Sequence, residues 1–166
     1  MESGTLPGRG VIAVVADTHL PRGGRTLPAQ CLELLAEASL VVHAGDFTTG
    51  SVLSALEALG SVEAVCGNMD DDELRRRLPD RTVVEAEGLT IGVVHDAGPA
   101  AGRGERLRAA FPGCDVVVYG HSHMPELSRC SGVWILNPGS PTERRRAPSH
   151  TMAVVRDGVP ELVQLS

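Results

Sequence analysis

Apolar runs that end abruptly in polar residues set the pattern of this chain. Val11-Ile12-Ala13-Val14-Val15-Ala16 is continuously apolar, the mark of a strand covered on both faces, and it stops at Asp17-Thr18-His19. A loop with Pro21, Gly23 and Gly24 leads to a helix predicted over 28–38, where Leu32, Leu35 and Ala36 fall at helical spacing. Leu40-Val41-Val42 is a second buried strand and ends in His43-Ala44-Gly45-Asp46. A helix over 51–59 follows, with Gly60 placed to close it. The third strand, 62–65, ends in Cys66-Gly67-Asn68. Asp70 with Glu73 three positions on predicts an N-cap and capping-box partner for a short helix that runs to Leu78 and stops at Pro79. This β-α-β-α-β-α alternation predicts an α/β fold with a mainly parallel sheet.

Beyond Pro79 the connections shorten. Strands over 82–86 and 89–94 flank the turn Glu87-Gly88, and the second ends at His95-Asp96. A helix over 105–111 precedes the strand Asp115-Val116-Val117-Val118-Tyr119, which runs into Gly120-His121-Ser122-His123. Segments 127–130 and 133–136 read as a hairpin around Ser131-Gly132. A Pro-rich basic loop covers 137–148, and a last pair of strands, 152–156 and 161–164, flanks Asp157-Gly158. Consecutive hairpins predict a second sheet, mixed or antiparallel, packed on the first. Residues 1–10, rich in Gly and Ser, read as a flexible tail ahead of a single domain over 11–166.

Composition narrows the function classes. A chain of 166 residues, 42% hydrophobic and 22% charged, buries one real core. Aromatic residues make up only 2%, so that core is aliphatic and offers few rings for stacking single-stranded bases. A net charge of −6 argues against a phosphate-backbone binder, and no stable binding of nucleic-acid duplex is expected. Cys31, Cys66, Cys114 and Cys130 form no C-x-x-C pair and read as reduced, mostly buried thiols. No signal-peptide pattern opens the chain, and no run approaches the roughly 18 apolar residues of a membrane span. A cytoplasmic protein with no membrane partner is expected.

The candidate chemistry lies where the strands stop. Asp17 and His19 follow the first strand, Asp46 the second, Asn68 the third, His95 a later one, and His121 with His123 another. In an open α/β sheet, ligands bind in the crevice beyond the carboxyl ends of the strands. Seven oxygen and nitrogen donors exceed what one ion takes while keeping a position open for water or substrate. A carboxylate shared by two ions about 3.5–4 Å apart would use them all. Imidazole with carboxylate and amide oxygen suits Mn, Fe, Co, Ni or Zn, and the lack of a thiolate disfavours a structural zinc site.

Asp17-x-His19, Gly45-Asp46, Gly67-Asn68, His95 and Gly120-His121-Ser122-His123, in this order, resemble the calcineurin-like metallophosphoesterase superfamily. Together with Asn137-Pro138-Gly139-Ser140, the spacing is most similar to its small phosphodiesterase branch, the YfcE-like group that includes Vps29. The resemblance spans Val11 to the end. It implies a four-layer α-β-β-α sandwich with two mixed β-sheets and a dimetal centre. Asp17, His19, Asp46 and His123 would hold one ion; Asp46, bridging, would hold the second with Asn68, His95 and His121. Members commonly take Mn and hydrolyse phosphodiesters with a metal-activated water, the attack in-line and without a covalent intermediate. Asn68 would both ligate and lie near a phosphate oxygen.

One position departs from the pattern. Many members follow Gly-Asn with a proton-donating His; here Met69 stands there. Protonation of the leaving group then falls to a metal-bound water, to Asp70 or to no residue. His43 reads as a core histidine or as a partner for a ligand, and Arg103 as a phosphate contact or a solvated loop residue. Arg144-Arg145-Arg146 would guide anionic substrates, form a subunit contact or face solvent, and Arg75-Arg76-Arg77 reads as surface. The expected activity is hydrolysis of a small phosphodiester. The alternatives are a phosphomonoesterase or nucleotide pyrophosphohydrolase, and a Vps29-like scaffold with metal chemistry lost. The late hairpin strands offer an edge for a homo-oligomer.

Overall fold

Strand β1 (Ile12–Val15) is buried along its whole length, and its alternate side chains enter two different cores. Ile12 and Val14 face a second sheet, whereas Ala13 and Val15 face helices. The period-two geometry of a strand demands that split, and it explains why every residue in the run is apolar. In the computed structural model, which describes residues 10–20 and 24–165, this arrangement repeats through four layers. The expected tail falls almost wholly outside the described residues; Gly10, its last member, donates its N–H to Glu87 Oε2 at 2.7 Å.

The first half of the chain continues with α1 (Ala29–Glu37), β2 (Leu40–His43), α2 (Gly50–Glu57), β3 (Val62–Ala64) and α3 (Asp72–Arg77). The second half has β4 (Arg81–Ala86), β5 (Leu89–Val94), α4 (Arg103–Ala110), β6 (Val116–Val118), β7 (Glu126–Cys130), β8 (Val133–Asn137), β9 (His150–Arg156) and β10 (Val159–Leu165). One five-stranded sheet has the order β10-β9-β1-β2-β3, the other β4-β5-β6-β8-β7. Both are mixed. In the first, β1, β2 and β3 run parallel, while β9 pairs antiparallel with β1 and β10 with β9. In the second, β5, β6 and β8 run parallel between antiparallel edges.

Val14, Val42, Val93, Val118, Leu136 and Val155 pack between the sheets. Cys31, Leu35, Leu53, Leu56 and Leu74 cover the outer face of the first sheet, and Leu107 and Phe111 that of the second. The four-layer α-β-β-α sandwich expected from the sequence is the architecture observed.

Three local expectations are corrected. The final hairpin does not extend the second sheet but completes the first. Met152-Ala153-Val154-Val155 is buried on both faces, and the free edge of β1 offers it cover on both. Gly60 supplies no left-handed cap, because α2 ends at Glu57 and its cap residue Ala58 stays in the right-handed region. The N-cap of α3 is Asp71, whose Oδ1 accepts the Leu74 N–H at 2.9 Å, so the Asp70–Glu73 capping box is absent. Asp70 instead accepts N–H groups from Asp46, Thr48 and Gly67 at 3.1, 2.9 and 2.7 Å. Its position one residue earlier points the carboxylate back to the strand ends, where three backbone donors outcompete one helix terminus.

Candidate metal centre

All seven strand-end donors converge at one end of the two sheets. Asp17, His19 and His123 form one group, and Asp46, His95 and His121 a second, with the ligand atoms of each group within 4.8 Å of one another. Asn68 joins the second group, its Oδ1 lying 2.9 Å from His95 Nε2 and 3.2 Å from His121 Nδ1. Asp46 stands between the groups: Oδ2 is 3.3 Å from His95 Nε2 and 3.6 Å from His19 Nε2. Asp17 Oδ1 is similarly 3.7 Å from His123 Nε2 and 4.0 Å from both His19 and His95.

The backbone that aims these side chains is costly. Asp17, His19, Asp46, His121 and His123 all have positive φ, between 43° and 73°. Few non-glycine residues adopt that region, and the strain persists only where surrounding contacts hold it. Those contacts are visible. The Asp17 and His19 N–H groups donate to the carbonyls of Gly45 and Asp46, and the His121 N–H donates to Asp17 Oδ2 at 3.0 Å. Ser140 Oγ donates to the Asp17 carbonyl and Thr142 Oγ1 to the Thr18 carbonyl, while Asn137 Nδ2 reaches Ser122 Oγ. The loop after β8 thereby ties two donor turns together. Gly67 allows the closest approach, since a Cβ there would collide with the Asp46 carboxylate.

Hydrogen bonds also select ring tautomers. His95 Nδ1–H donates to the Ala44 carbonyl at 2.7 Å, which directs Nε2 at Asp46 and Asn68. His123 Nδ1–H donates to the Glu143 carbonyl, leaving Nε2 directed at His19 Nε2, 3.2 Å away. His43 is the reverse case. Its Nδ1 accepts the Gly45 N–H at 3.0 Å, so Nε2–H donates to Thr18 Oγ1, and the ring stacks on Phe47. Burial holds it neutral, its pKa lowered to about 3. It braces two donor turns without facing either group.

Burial raises Asp17 to about 8, with the Asp46 charge adding to the shift and His95 opposing it. Burial works the same way on Asp46, but the His95 hydrogen bond and charge and the Met69 N–H hold it below the usual range. His95 is raised despite burial by its bond to Asp46 and the charges of Asp17 and Asp46, whereas burial lowers His123 to about 4. The Nε2 atoms of His19 and His123 lie 3.2 Å apart beside two buried carboxylates, a spacing a shared cation would suit. This donor set fits a divalent metal ion in each group.

Other candidates fall elsewhere. Arg103 donates to the Tyr119 hydroxyl and the Gly98 carbonyl and faces Glu126 at 3.9 Å, so its contacts lie outside the donor groups. The Tyr119 hydroxyl in turn donates to Glu126. Met69 is 47% exposed, and its N–H donates to Asp46 Oδ1 at 2.8 Å. Arg75, expected as surface, donates to the Asn68 and Asp70 carbonyls and clamps that turn. Its signal was the seven-residue offset from Asn68, which only the fold converts into contact. The four cysteines are free, three of them buried, and no described helix is long and apolar enough to cross a membrane.

The model of the calcineurin-like phosphoesterase superfamily domain matches residues 11–157, and the chain belongs to that superfamily. It is 33% identical over 150 residues to a "Probable metallophosphoesterase" of Methanothermobacter thermautotrophicus, covering 89% of this chain and 87% of the relative. A second "Probable metallophosphoesterase", from Methanocaldococcus jannaschii, is 36% identical over 144 residues, covering 84% and 72%. Among solved structures, a Thermotoga maritima protein is 31% identical with a TM-score of 0.73, covering 94% of this chain and 99% of that one. Vps29 of Chaetomium thermophilum is 22% identical with a TM-score of 0.79, covering 95% and 86%. An archaeal phosphodiesterase is 21% identical with a TM-score of 0.72, covering 93% and 99%. The fold is that of the small Vps29-like and archaeal phosphodiesterase-like branch.

Proposed function

We propose that the protein hydrolyses small phosphodiesters at a dimetal centre, with Asp17, His19, Asp46 and His123 holding one ion and Asp46, Asn68, His95 and His121 the other. The carrying observation is the placement of Asp46 between two complete donor groups. Bound there, a pair of divalent ions supplies Lewis acidity and a nucleophilic water near neutral pH. Mn is the expected metal, with Fe, Ni, Co and Zn suited to the same donors; a Vps29 of Entamoeba histolytica has been solved with Zn.

The chain's own residues orient and restrain. Ala44 and Glu143 hold the His95 and His123 rings with Nε2 inward, and Gly45 and Gly67 let the Asp46 turn close on the site. The Asn68 carbonyl oxygen faces His95 and His121, which leaves its amide nitrogen for a phosphoryl oxygen. No protein acid serves the leaving group: Met69 has no transferable proton, and the Asp70 carboxylate is occupied as acceptor of three backbone N–H groups. Esters with activated leaving groups are therefore preferred over alkyl phosphates.

Hydrolysis of bis(p-nitrophenyl) phosphate with added Mn, against a chelated sample and His121→Ala, tests this reading. Turnover that needs metal and His121, and that falls steeply with leaving-group pKa, is expected. Turnover absent with every metal would instead favour a protein-binding scaffold on the same fold. Equal rates on activated and alkyl esters would return the search to a protein acid.

A further inference from the structure

Charged side chains are distributed unevenly around the donor groups. A cleft of about 370 Å³ opens beside Asn68 and His95, lined by Asp80, Asp96 and Arg75, whose guanidinium is bound to the Asn68 and Asp70 carbonyls. Arg145 stands beyond His121; other described arginines, such as Arg76, Arg146 and Arg156, also face no carboxylate, but among them all only Arg75 and Arg145 bond the carbonyl of a donor residue. Arg25, Arg77, Arg103 and Arg108 each face a carboxylate. Arg75 and Arg106 are spent on backbone carbonyls, and Arg144 donates to the Ala147 carbonyl. Arg145 makes one long bond, from Nη1 to the His121 carbonyl at 3.5 Å, and no carboxylate lies within ion-pairing distance of it among the described residues.

The position is built rather than incidental. Arg145 has φ 48°, in a loop held to the site through Ser140, Thr142 and the Glu143 carbonyl. The contacts that place Asp17 and His123 therefore also place Arg145. The His121 ring turns to Asn68 while its carbonyl faces the guanidinium, so Arg145 flanks the donors without joining them. It is exposed, and a planar fork of N–H donors at such a rim suits a second oxyanion. Asp80 and Asp96 oppose an anion on the Asn68 side, where the lining cation, Arg75, is already committed to backbone carbonyls.

Resting on the phosphodiesterase reading, we infer that Arg145 determines specificity by binding a second anionic group of the substrate, a phosphate or carboxylate beyond the phosphoryl group under attack. The substrate class is then a phosphodiester with at least one further negative charge.

Two p-nitrophenyl substrates isolate that charge: thymidine 5′-(p-nitrophenyl phosphate) and the same diester carrying a 3′-phosphate. The Mn-loaded wild type should favour the 3′-phosphorylated diester in kcat/KM, and Arg145→Ala should cut the preference roughly tenfold. Arg145→Lys should restore part of it, and Arg146→Ala should keep it. An unchanged ratio in Arg145→Ala, an equal loss on both substrates, or the same fall in Arg146→Ala overturns the inference. Calorimetric binding of thymidine 3′,5′-bisphosphate against thymidine 5′-monophosphate separates it from the hydrolase reading. A binding margin that depends on Arg145 without turnover would remove the hydrolase reading and uphold the anion contact; no margin in the wild type overturns it.

Discussion

Asp17, His19 and His123 are sealed from solvent, whereas the group of Asp46, His95 and His121 opens to the surface through an exposed His121. Their electrostatics run in opposite senses. In the sealed group the carboxyl is raised to about 8 and His123 lowered to about 4, so both sit neutral near pH 7 without metal. In the open group Asp46 is held below its usual range and His95 raised, each by the other and against burial. Similar donors become two different sites because burial prevails in one and the Asp46–His95 contact prevails in the other. The sealed group suits an ion that stays; the open group suits the one that meets substrate.

Removing donors one at a time is the strongest way to break this contrast. Asp46→Ala should lose both ions and more than the roughly 100-fold that losing a partner beyond the ligands costs. His123→Ala and His121→Ala should each keep one ion, counted by elemental analysis of the purified protein. Two ions retained in Asp46→Ala would end the shared-carboxylate reading.

A second test asks whether the open group depends on its backbone supports. Asp70→Ala strands two buried N–H groups and a part-buried one and should cost about 3 kcal/mol in urea unfolding. The neighbouring cap variant Asp71→Ala should cost about 1 kcal/mol. Equal losses would restore Asp70 to an ordinary helix cap.

The smallest effect is in pH. Asp17 ionises at 3.8 when unhindered but at about 8 in the fold. The native state therefore holds a proton the unfolded chain has released, and this group's stabilising contribution to the metal-free protein is full below about pH 4 and lost as pH rises to about 8. A cation must displace that proton. Affinity of the sealed group should climb about tenfold per pH unit up to about pH 8 and then level. Competition against a chelator from pH 6 to 9 measures it, and Asp17→Asn should flatten the climb. A level profile in the wild type would refute the protonated carboxyl.

Much of this was legible in the residues. Strands buried on both faces show as unbroken apolar runs, as in Val11–Ala16, and donors after each run mark the active edge of the sheets. What stayed hidden depends on spatial neighbours. Asp70 and Asp71 are equally good caps on paper, and only the turn at Gly67 decides which carboxylate faces inward. Positive φ at five donors has no clear local signature, because Asp and His, though more tolerant of it than most side chains, adopt it only where the surroundings impose it. Arg75 and Arg145 look like surface charge until the fold brings them beside Asn68 and His121. The final hairpin was assigned to the second sheet because chain order says nothing about which edge lies open.

Each donor group is drawn from both sheets. Asp17 and His19 follow β1 and meet His123 from beyond β6; Asp46 and Asn68 follow β2 and β3 and meet His95 and His121 from beyond β5 and β6. The centre is thus a clasp across the sandwich, closed only when two separately hydrogen-bonded sheets have docked in register. Metal binding at this centre would therefore report correct topology. A molecule with either sheet misassembled would lack at least one donor of each set.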